Sequence, residues 1–142
     1  MACYILDTDH LSLYERGHLQ VCKRILQNRQ QSSEALATTV ISVEEQYAGR
    51  LAQIRKATQP QVLIQAYGRL KSTFELFADL AILDYGFEAD EFFQNFRRAG
   101  IRIGTQDLRI ASVTLAHQGI LLTRNLRDFE KVPGITIEDW SI

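Results

Sequence analysis

The sequence contains little that is typical of a secreted or membrane-bound protein. It has only two cysteines, Cys3 and Cys22, and their separation matches no metal-binding or redox motif, which fits a reducing compartment. No apolar run reaches the roughly 18 residues that a membrane-spanning helix needs. Asp7 also interrupts the only apolar stretch near the start that a signal peptide would use. We therefore expect a cytoplasmic protein with no membrane contact.

Charge of one sign is also scarce, because the net charge of the chain is only -1. The hydrophobic fraction of 46% is too high for a disordered chain, and 142 residues are enough to bury one full core. The chain has only two prolines, each placed where a regular pattern stops, and no internal repeat. These features predict a single domain over residues 1–142. The small net charge taken alone argues against a nucleic-acid partner.

Short apolar runs alternate with helical patterns along the chain. The predicted strands are residues 3–6, 36–41, 80–83, 120–123 and 135–137. The predicted helices are residues around 21–26, two helices forming an αα-hairpin around Pro60, and residues 88–99 and 106–117. Strands that are separated by helices pair in parallel and are covered on both faces, which predicts an α/β fold.

Four acids lie close to the carboxyl ends of the predicted strands, where open parallel sheets bind their ligands. These acids are Asp7, Glu45, Asp107 and Asp128. Four carboxylates in one cleft repel each other strongly unless a cation neutralises them. Oxygen ligands of this kind suit Mg²⁺ or Mn²⁺, and such an ion activates a bound water for hydrolysis.

Each acid also has a purely structural explanation. Asp7 fits an Asx turn at a strand end, and Ser42 to Glu45 fits a helix capping box. Asp107 favours the positive end of a helix, and Asp128 fits a polar loop. The metal-site hypothesis therefore depends on the joint placement of the four acids.

The acids stand in segments that resemble those of a known family. Ile5-Leu6-Asp7-Thr8-Asp9 is similar to the opening of PIN-domain nucleases, and particularly of VapC-type toxins of bacterial type II toxin–antitoxin systems. The family has an acid four residues before a glycine, which selects Glu45, before Gly49, over Glu44. Residues 100–111, 123–129 and 132–140 resemble the later segments of the family, so the similarity covers nearly the whole chain.

The resemblance implies a three-layer PIN-like fold whose parallel sheet has the strand order 3-2-1-4-5. It also implies a Mg²⁺- or Mn²⁺-dependent endoribonuclease that acts as a toxin, forms a homodimer and is inhibited by a cognate antitoxin protein. The apolar surface of the hairpin around Pro60 suits an inhibitor helix. The alternative is a catalytically inactive PIN-like module that binds RNA or protein. A phospho-acceptor receiver domain is disfavoured, because no lysine lies between Lys71 and Lys131.

The resemblance also assigns roles to the acids. Asp7, Glu45 and Asp107 are expected to hold the metal ion. Asp128 is expected to complete the metal site or to orient the attacking water, and Asn125 is the alternative fourth residue.

Several neighbouring residues complete the predicted site. The hydroxyls of Thr8 and Thr123 are expected to hold phosphate or carboxylate oxygens. Many family members have asparagine where this chain has Asp9. We interpret Asp9 as a turn residue; the alternative is a residue that supports the metal ligands without binding the ion itself. A lone histidine such as His10 is more often a loop residue than a functional one.

The charge of the chain is unevenly distributed. Residues 92–127 contain six arginines and one acid, so this segment carries +5 and the rest of the chain carries -6. Arg124, Asn125 and Arg127 flank the fourth acid and are predicted to bind the RNA substrate. Arg97 and Arg98 fit equally a solvated helix face or a phosphate contact. A positively charged segment beside the acids therefore supports an RNA substrate despite the net charge.

Overall fold

The computed structural model describes residues 3–31 and 36–142 and has an α/β fold over these ranges. The strands are β1 (Tyr4–Leu6), β2 (Leu36–Thr39), β3 (Ala81–Leu83), β4 (Ile120–Leu122) and β5 (Thr136–Glu138). The helices are α1 (Thr8–Glu15), α2 (Leu19–Gln31), α3 (Val40–Lys56), α4 (Pro60–Ala78), α5 (Phe87–Arg98), α6 (Thr105–Ala116) and α7 (Leu126–Phe129). No helix in these ranges is both long and apolar enough to cross a membrane.

The five strands form one parallel sheet in the order β3-β2-β1-β4-β5, which confirms the predicted fold. β1 lies at the centre, with Leu6 level with Thr38 of β2 and Leu122 of β4. The carboxyl ends of these three strands therefore meet at one edge of the sheet. The Thr38 hydroxyl donates to the Leu6 carbonyl oxygen at 2.8 Å and ties β1 to β2 near that edge.

Both faces of the sheet are covered by helices, as the α/β prediction requires. One core includes Ile5, Phe96, Leu108 and Phe129, and the other includes Leu6, Leu11, Phe77 and Trp140. Ile5 and Leu6 are adjacent in β1 and point to opposite faces, because strand side chains alternate. α3 and α4 form the predicted hairpin beside this sheet.

Two helices are absent from the prediction, and one strand ends two residues earlier than predicted. The sequence favours a turn at Asp7-Thr8-Asp9 and a polar loop around Asp128, but α1 and α7 occupy these positions. The predicted strand over residues 36–41 ends at Thr39, because the Thr39 hydroxyl accepts a hydrogen bond from the Ser42 amide at 3.1 Å and caps α3. The remaining strand boundaries differ from the prediction by one residue.

Gly119 is required by a close approach of two chain segments. It lies between α6 and β4, after Gln118, whose φ of +54° places it in the left-handed region. A Cβ atom on Gly119 would collide with Cδ1 of Ile5 and lie 3.0 Å from the Cys3 carbonyl oxygen. α6 therefore ends at Ala116, three residues before a glycine whose small size lets β4 pack directly against β1.

Candidate metal centre

Asp7 lies where β1 ends and α1 begins, and it is 5% exposed. Its Oδ1 accepts a hydrogen bond from the His10 amide at 2.9 Å, so its carboxylate is the N-cap of α1. Burial, followed by the negative charge of neighbouring Asp9, raises the pKa of Asp7 well above its usual range. The structural role as a cap and the predicted role in a metal site are therefore compatible in this residue.

Glu45 lies in the second turn of α3, so its interpretation as part of a capping box with Ser42 is wrong. The helix begins earlier, at Val40, and Thr39 is its N-cap. The Glu45 Oε1 atom instead accepts a hydrogen bond from the Thr8 hydroxyl at 2.6 Å. This bond joins the first turn of α1 to α3 and directs the Glu45 carboxylate toward the carboxyl edge of the sheet.

Asp107 lies in the first turn of α6 and is surrounded by other acids. Burial is the main reason why its pKa is raised, and the negative charges of Glu45, Asp128 and Asp9 raise it further. The fold thus brings acids from α1, α3, α6 and α7 into mutual electrostatic range. Such a group of carboxylates favours either proton uptake or the binding of a cation.

Asn125 links two of the predicted acids. Its Nδ2 atom donates to Asp128 Oδ2 at 3.1 Å and lies 3.5 Å from Asp107 Oδ2. The hydrogen bond from Asn125 is the main cause of a lowered pKa of Asp128, with a further contribution from Lys131, whose Nζ is 3.6 Å from Asp128 Oδ1. Asp128 therefore stays ionised at the rim of the cluster, and Asn125 lies between it and Asp107.

Asp9 lies in α1, so its interpretation as a turn residue is wrong. It belongs to an acidic cluster, which consists of Asp7, Asp9, Glu45, Asp107 and Asp128. It lies in the first turn of α1, and its carboxylate accepts from the backbone amide of Arg124 at 3.2 Å. Burial acts to raise the pKa of Asp9, but hydrogen bonds from His10 and Asp7 outweigh it, and the net shift is downward. A helical spacing was present in the sequence as Leu11 and Tyr14, three residues apart, and would have placed Asp9 in a helix.

His10 is wholly buried within α1 and is not a loop residue, which corrects the prediction. Its Nε2 accepts a hydrogen bond from the Trp140 amide at 3.1 Å, so the ring proton of the neutral form is on Nδ1. That Nδ1 lies 2.7 Å from Asp9 Oδ1 and donates to it. His10 therefore connects the C-terminal segment to a carboxylate of the cluster.

Replacement of His10 by alanine is expected to destabilise the protein by about 2–4 kcal/mol. The change leaves a cavity, and it leaves the Trp140 amide and one oxygen of Asp9 without their partner. Urea denaturation monitored by circular dichroism measures the loss. His117→Ala is the matched control, because this histidine is exposed, and it should cost less than about 1 kcal/mol. Equal losses in the two variants would contradict the role given to His10.

The two predicted threonines both contact carboxylates. Thr8 donates to Glu45 and also lies 3.0 Å from Ser42 Oγ. The Thr123 hydroxyl lies 3.4 Å from Asp9 Oδ2 and accepts from the Asn125 amide at 2.9 Å. In this structure both hydroxyls therefore orient the acidic cluster and its adjoining loop.

The six arginines of residues 92–127 fall into two groups. Arg97 is engaged within the protein, since its Nη2 donates to Thr105 at 3.0 Å and its guanidinium lies 5.2 Å from the Phe93 ring centroid. Arg98 bonds to Asn95, and Arg109 bonds to Gln106. Within the described part of the chain, the remaining three have exposed side chains without an ion pair; these are Arg102, Arg124 and Arg127.

The described residues contain one group of potential metal ligands with tight geometry. Asp7, Asp9 and His10 each offer a ligand atom, and these atoms lie within 4.8 Å of one another. Both ring nitrogens of His10 are already engaged, one by Asp9 and the other by Trp140. Carboxylate oxygens are therefore the available donors, and they are the ligands that Mg²⁺ and Mn²⁺ prefer.

The described residues form a parallel α/β fold of the PIN type, with a group of carboxylates at the carboxyl edge of the sheet. Comparison with solved structures agrees: the chain superposes with a TM-score of 0.76 and 26% identity on a chain of the DNA-bound VapBC complex from Salmonella typhimurium, covering 99% of each. No protein-family model matches the sequence.

Within that class, the related sequences are VapC proteins. The chain is 24% identical over 142 residues to ribonuclease VapC2 of Rickettsia felis, covering 96% of this chain and 97% of the relative. It is 37% identical over 65 residues to the tRNA(fMet)-specific endonuclease VapC of Salmonella typhimurium, covering 43% of this chain and 49% of that protein. The relatives and the shared fold confirm the resemblance to VapC-type PIN toxins that the sequence motifs indicate.

Proposed function

We propose that this protein is a metal-dependent endoribonuclease that hydrolyses RNA phosphodiester bonds as the toxin of a toxin–antitoxin pair. The observation that carries the proposal is the convergence of acids at one edge of the sheet, where the pKa values of Asp7 and Asp107 are raised. Such a site costs stability when all of its carboxylates are charged, and a bound divalent cation removes that cost. The ribonuclease names of the relatives support the same reaction.

In this proposal Asp7, Glu45 and Asp107 hold Mg²⁺ or Mn²⁺, which when bound supplies an activated water and stabilises the leaving oxygen. Asp128 completes the set or orients the attacking water. Asn125 positions Asp107 and Asp128 through its side-chain amide and does not bind the metal ion itself.

The remaining residues of the proposed site hold the cluster and the substrate. Thr8 and Thr123 fix the carboxylates of Glu45 and Asp9, and this keeps the oxygen donors oriented. Arg124 and Arg127, exposed next to the fourth acid, are proposed to bind phosphates of the RNA together with Asn125.

The proposal includes protein partners and a cytoplasmic location. Helix α4 exposes several large apolar side chains, which suits an antitoxin helix or a second copy of the chain. These residues are Val62, Leu63, Ile64, Tyr67 and Phe74. The VapBC complexes among the related structures support an antitoxin partner, and a homodimer is proposed alongside it. Both described cysteines are free, which fits a reducing cytoplasm.

Glu45 and its neighbour Glu44 provide a matched test of the site. Glu45→Gln should lower the rate of RNA cleavage by about 10²-fold or more, because it removes one of the carboxylates proposed to bind the metal ion. Glu44→Gln should leave the rate within about twofold, because Glu44 is exposed and bonds only to Gln106 among the described residues. Gel assays of structured RNAs with Mg²⁺, with Mn²⁺ and with EDTA measure the rates for protein freed of any partner.

Three results would contradict the proposal. Cleavage that persists in EDTA indicates a contaminating nuclease or a metal-free mechanism. Equal losses in the two glutamate variants place the chemistry elsewhere. An absence of cleavage by the partner-free wild-type protein with either metal, but with retained RNA binding, supports the inactive PIN-like module instead.

A further inference from the structure

A polar cavity of about 470 Å³ lies between α1, α3 and α4, away from the arginine-rich segment of residues 92–127. Three of its lining side chains are arginines, one from each helix or its end: Arg16, Arg50 and Arg69. Among the described residues, the only acid that lines it is Glu15. The side chains that line the cavity therefore carry a net charge of +2. They come from the part of the chain outside residues 92–127, whose summed charge is negative.

Arg50 is held in place by several partners within the wall of the cavity. Its Nη2 is ion-paired with Glu15 Oε1, its Nε donates to the Thr73 hydroxyl at 2.9 Å, and Nη1 lies 3.4 Å from Gln53 Oε1. The Thr73 hydroxyl in turn lies 2.7 Å from Glu15 Oε2, so both carboxylate oxygens are occupied. Since a guanidinium has five N–H donors, Arg50 keeps two of them for a ligand.

The charge of the cavity comes from the other two arginines. Glu15 neutralises Arg50, whereas the exposed Arg16 and Arg69 have no ion pair or side-chain hydrogen bond among the described residues. Ser12 and Ser72 also line the cavity. The Ser72 hydroxyl donates to the Gly68 carbonyl oxygen at 3.1 Å, so Ser12, whose oxygen accepts from Gln46, is the serine whose hydroxyl hydrogen is left for a ligand. A guanidinium group can donate two parallel hydrogen bonds to one phosphate, and a hydroxyl can donate a further one.

The cavity adjoins the acidic cluster along α1. Thr8, which contacts Glu45, lies in the first turn of this helix, and Ser12 and Arg16 follow at intervals of four residues. At about 1.5 Å per residue, Ser12 lies about 6 Å and Arg16 about 12 Å along the helix from Thr8. The Gln46 amide donates to Ser12 Oγ at 3.1 Å, which ties the cavity wall to the residue next to Glu45.

We infer that this cavity is a binding subsite for a backbone phosphate of single-stranded RNA, outside the cleavage site and built from Arg16, Arg50 and Arg69. The inference rests on the proposed ribonuclease function. With nucleotides about 3.4 Å apart, the roughly 12 Å along α1 between Thr8 and Arg16 corresponds to about three to four nucleotides from the acids. The subsite binds the backbone and so contributes affinity without reading the base sequence.

The test compares a double variant with a control of equal charge. Arg16→Ala combined with Arg69→Ala removes the two free cations, and Arg50 is retained because its removal would strand Glu15. Lys23→Ala combined with Arg29→Ala removes two exposed cations of α2, which does not line the cavity. Fluorescence anisotropy with a short, labelled single-stranded RNA of mixed sequence in EDTA measures binding without cleavage, at roughly 50–200 mM KCl.

The cavity variant is expected to bind the RNA on the order of tenfold more weakly at the lower salt concentrations. Its plot of log affinity against log salt concentration should be shallower by about 1.4, since each lost contact with single-stranded nucleic acid removes about 0.7. The control variant should retain the wild-type slope. In cleavage assays the cavity variant should raise KM and leave kcat unchanged, because a contact outside the cleavage site binds the substrate and the transition state equally.

Two results would overturn the subsite. One is equal weakening by both double variants, which indicates only the general electrostatic field. The other is wild-type RNA binding by the cavity variant together with weaker binding of a polyglutamate peptide, which indicates an acidic protein segment as the occupant. If wild-type protein binds RNA through the cavity but cleaves none, the subsite stands and the proposed nuclease function fails.

Discussion

Asp7→Asn should abolish RNA cleavage while making the metal-free protein more stable at neutral pH. We expect the rate to fall by about 10³-fold or more, because the change removes a charged ligand from a site whose chemistry depends on a bound cation. Asparagine is as good an N-cap as aspartate, so the hydrogen bond from the His10 amide is retained. The variant therefore separates the loss of the metal site from the loss of the fold.

The gain in stability follows from the raised pKa of Asp7. A carboxyl group whose pKa is higher in the folded than in the unfolded protein stabilises the fold at low pH, and this contribution is lost as the pH rises through the folded value. At neutral pH the unfolded protein ionises Asp7 freely, whereas burial and Asp9 oppose that ionisation in the folded protein. Asp7 therefore costs stability at this pH, and the neutral amide in the Asp7→Asn variant does not. The difference between the two proteins should disappear as the pH falls toward the usual pKa of aspartate.

Thermal denaturation in EDTA across this pH range measures the effect, and the same scans with Mg²⁺ measure cation binding. Added Mg²⁺ should raise the Tm of the wild-type protein more than that of Asp7→Asn, because ligand binding stabilises only the folded state. A metal-free variant less stable than the wild type at neutral pH would show that Asp7 is not under electrostatic strain. Undiminished cleavage by the variant would remove Asp7 from the site.

Phe129→Ala should produce the largest loss of stability among the variants considered, about 3–5 kcal/mol. Phe129 is wholly buried and belongs to the core that includes Ile5, Leu108 and Leu121. It is the last residue of α7, the short helix that carries Asp128. This loss is comparable with the total free energy of unfolding of many domains. The variant would therefore be largely unfolded, and Asp128 would no longer be held beside the other acids.

Phe87→Ala is the matched control, because it deletes the same side chain at a position that is 98% exposed. It should change the free energy of unfolding by less than about 0.5 kcal/mol. Chemical denaturation of both variants, monitored by Trp140 fluorescence, gives the comparison. Similar losses in the two variants would contradict the packing role assigned to Phe129.

The sequence predicted the sheet well because its information is local. Tyr4-Ile5-Leu6 and Ile120-Leu121-Leu122 are short apolar runs that end at the polar residues Asp7 and Thr123, and they form β1 and β4 of the observed sheet. Errors occurred where one side chain decides a boundary. Val40 and Ile41 have high strand propensity, but the cap formed by Thr39 places them in the first turn of α3.

The acids illustrate the same limit within the candidate site. Their positions near the ends of parallel strands predicted that they approach one edge. The pKa of Asp107 is raised mainly by burial and further by the nearby charges of Glu45 and Asp128, which agrees with that placement. The sequence did not predict which groups hold them. Asn125 lies between Asp107 and Asp128, and Thr8 bonds to Glu45, because loops and helices far apart in the chain pack together.

The sequence by itself determined the succession of the five strands and of helices α2 to α6 along the chain, together with the residues at the strand ends, since these follow from local patterns. It did not determine α1 or α7. Only the tertiary structure decided that His10 joins Asp9 to Trp140, 130 residues away from it in the chain. It also decided that three arginines from separate helices line one cavity. The physical reason is that these groups depend on the packing of distant segments, which periodicity and summed charge do not encode.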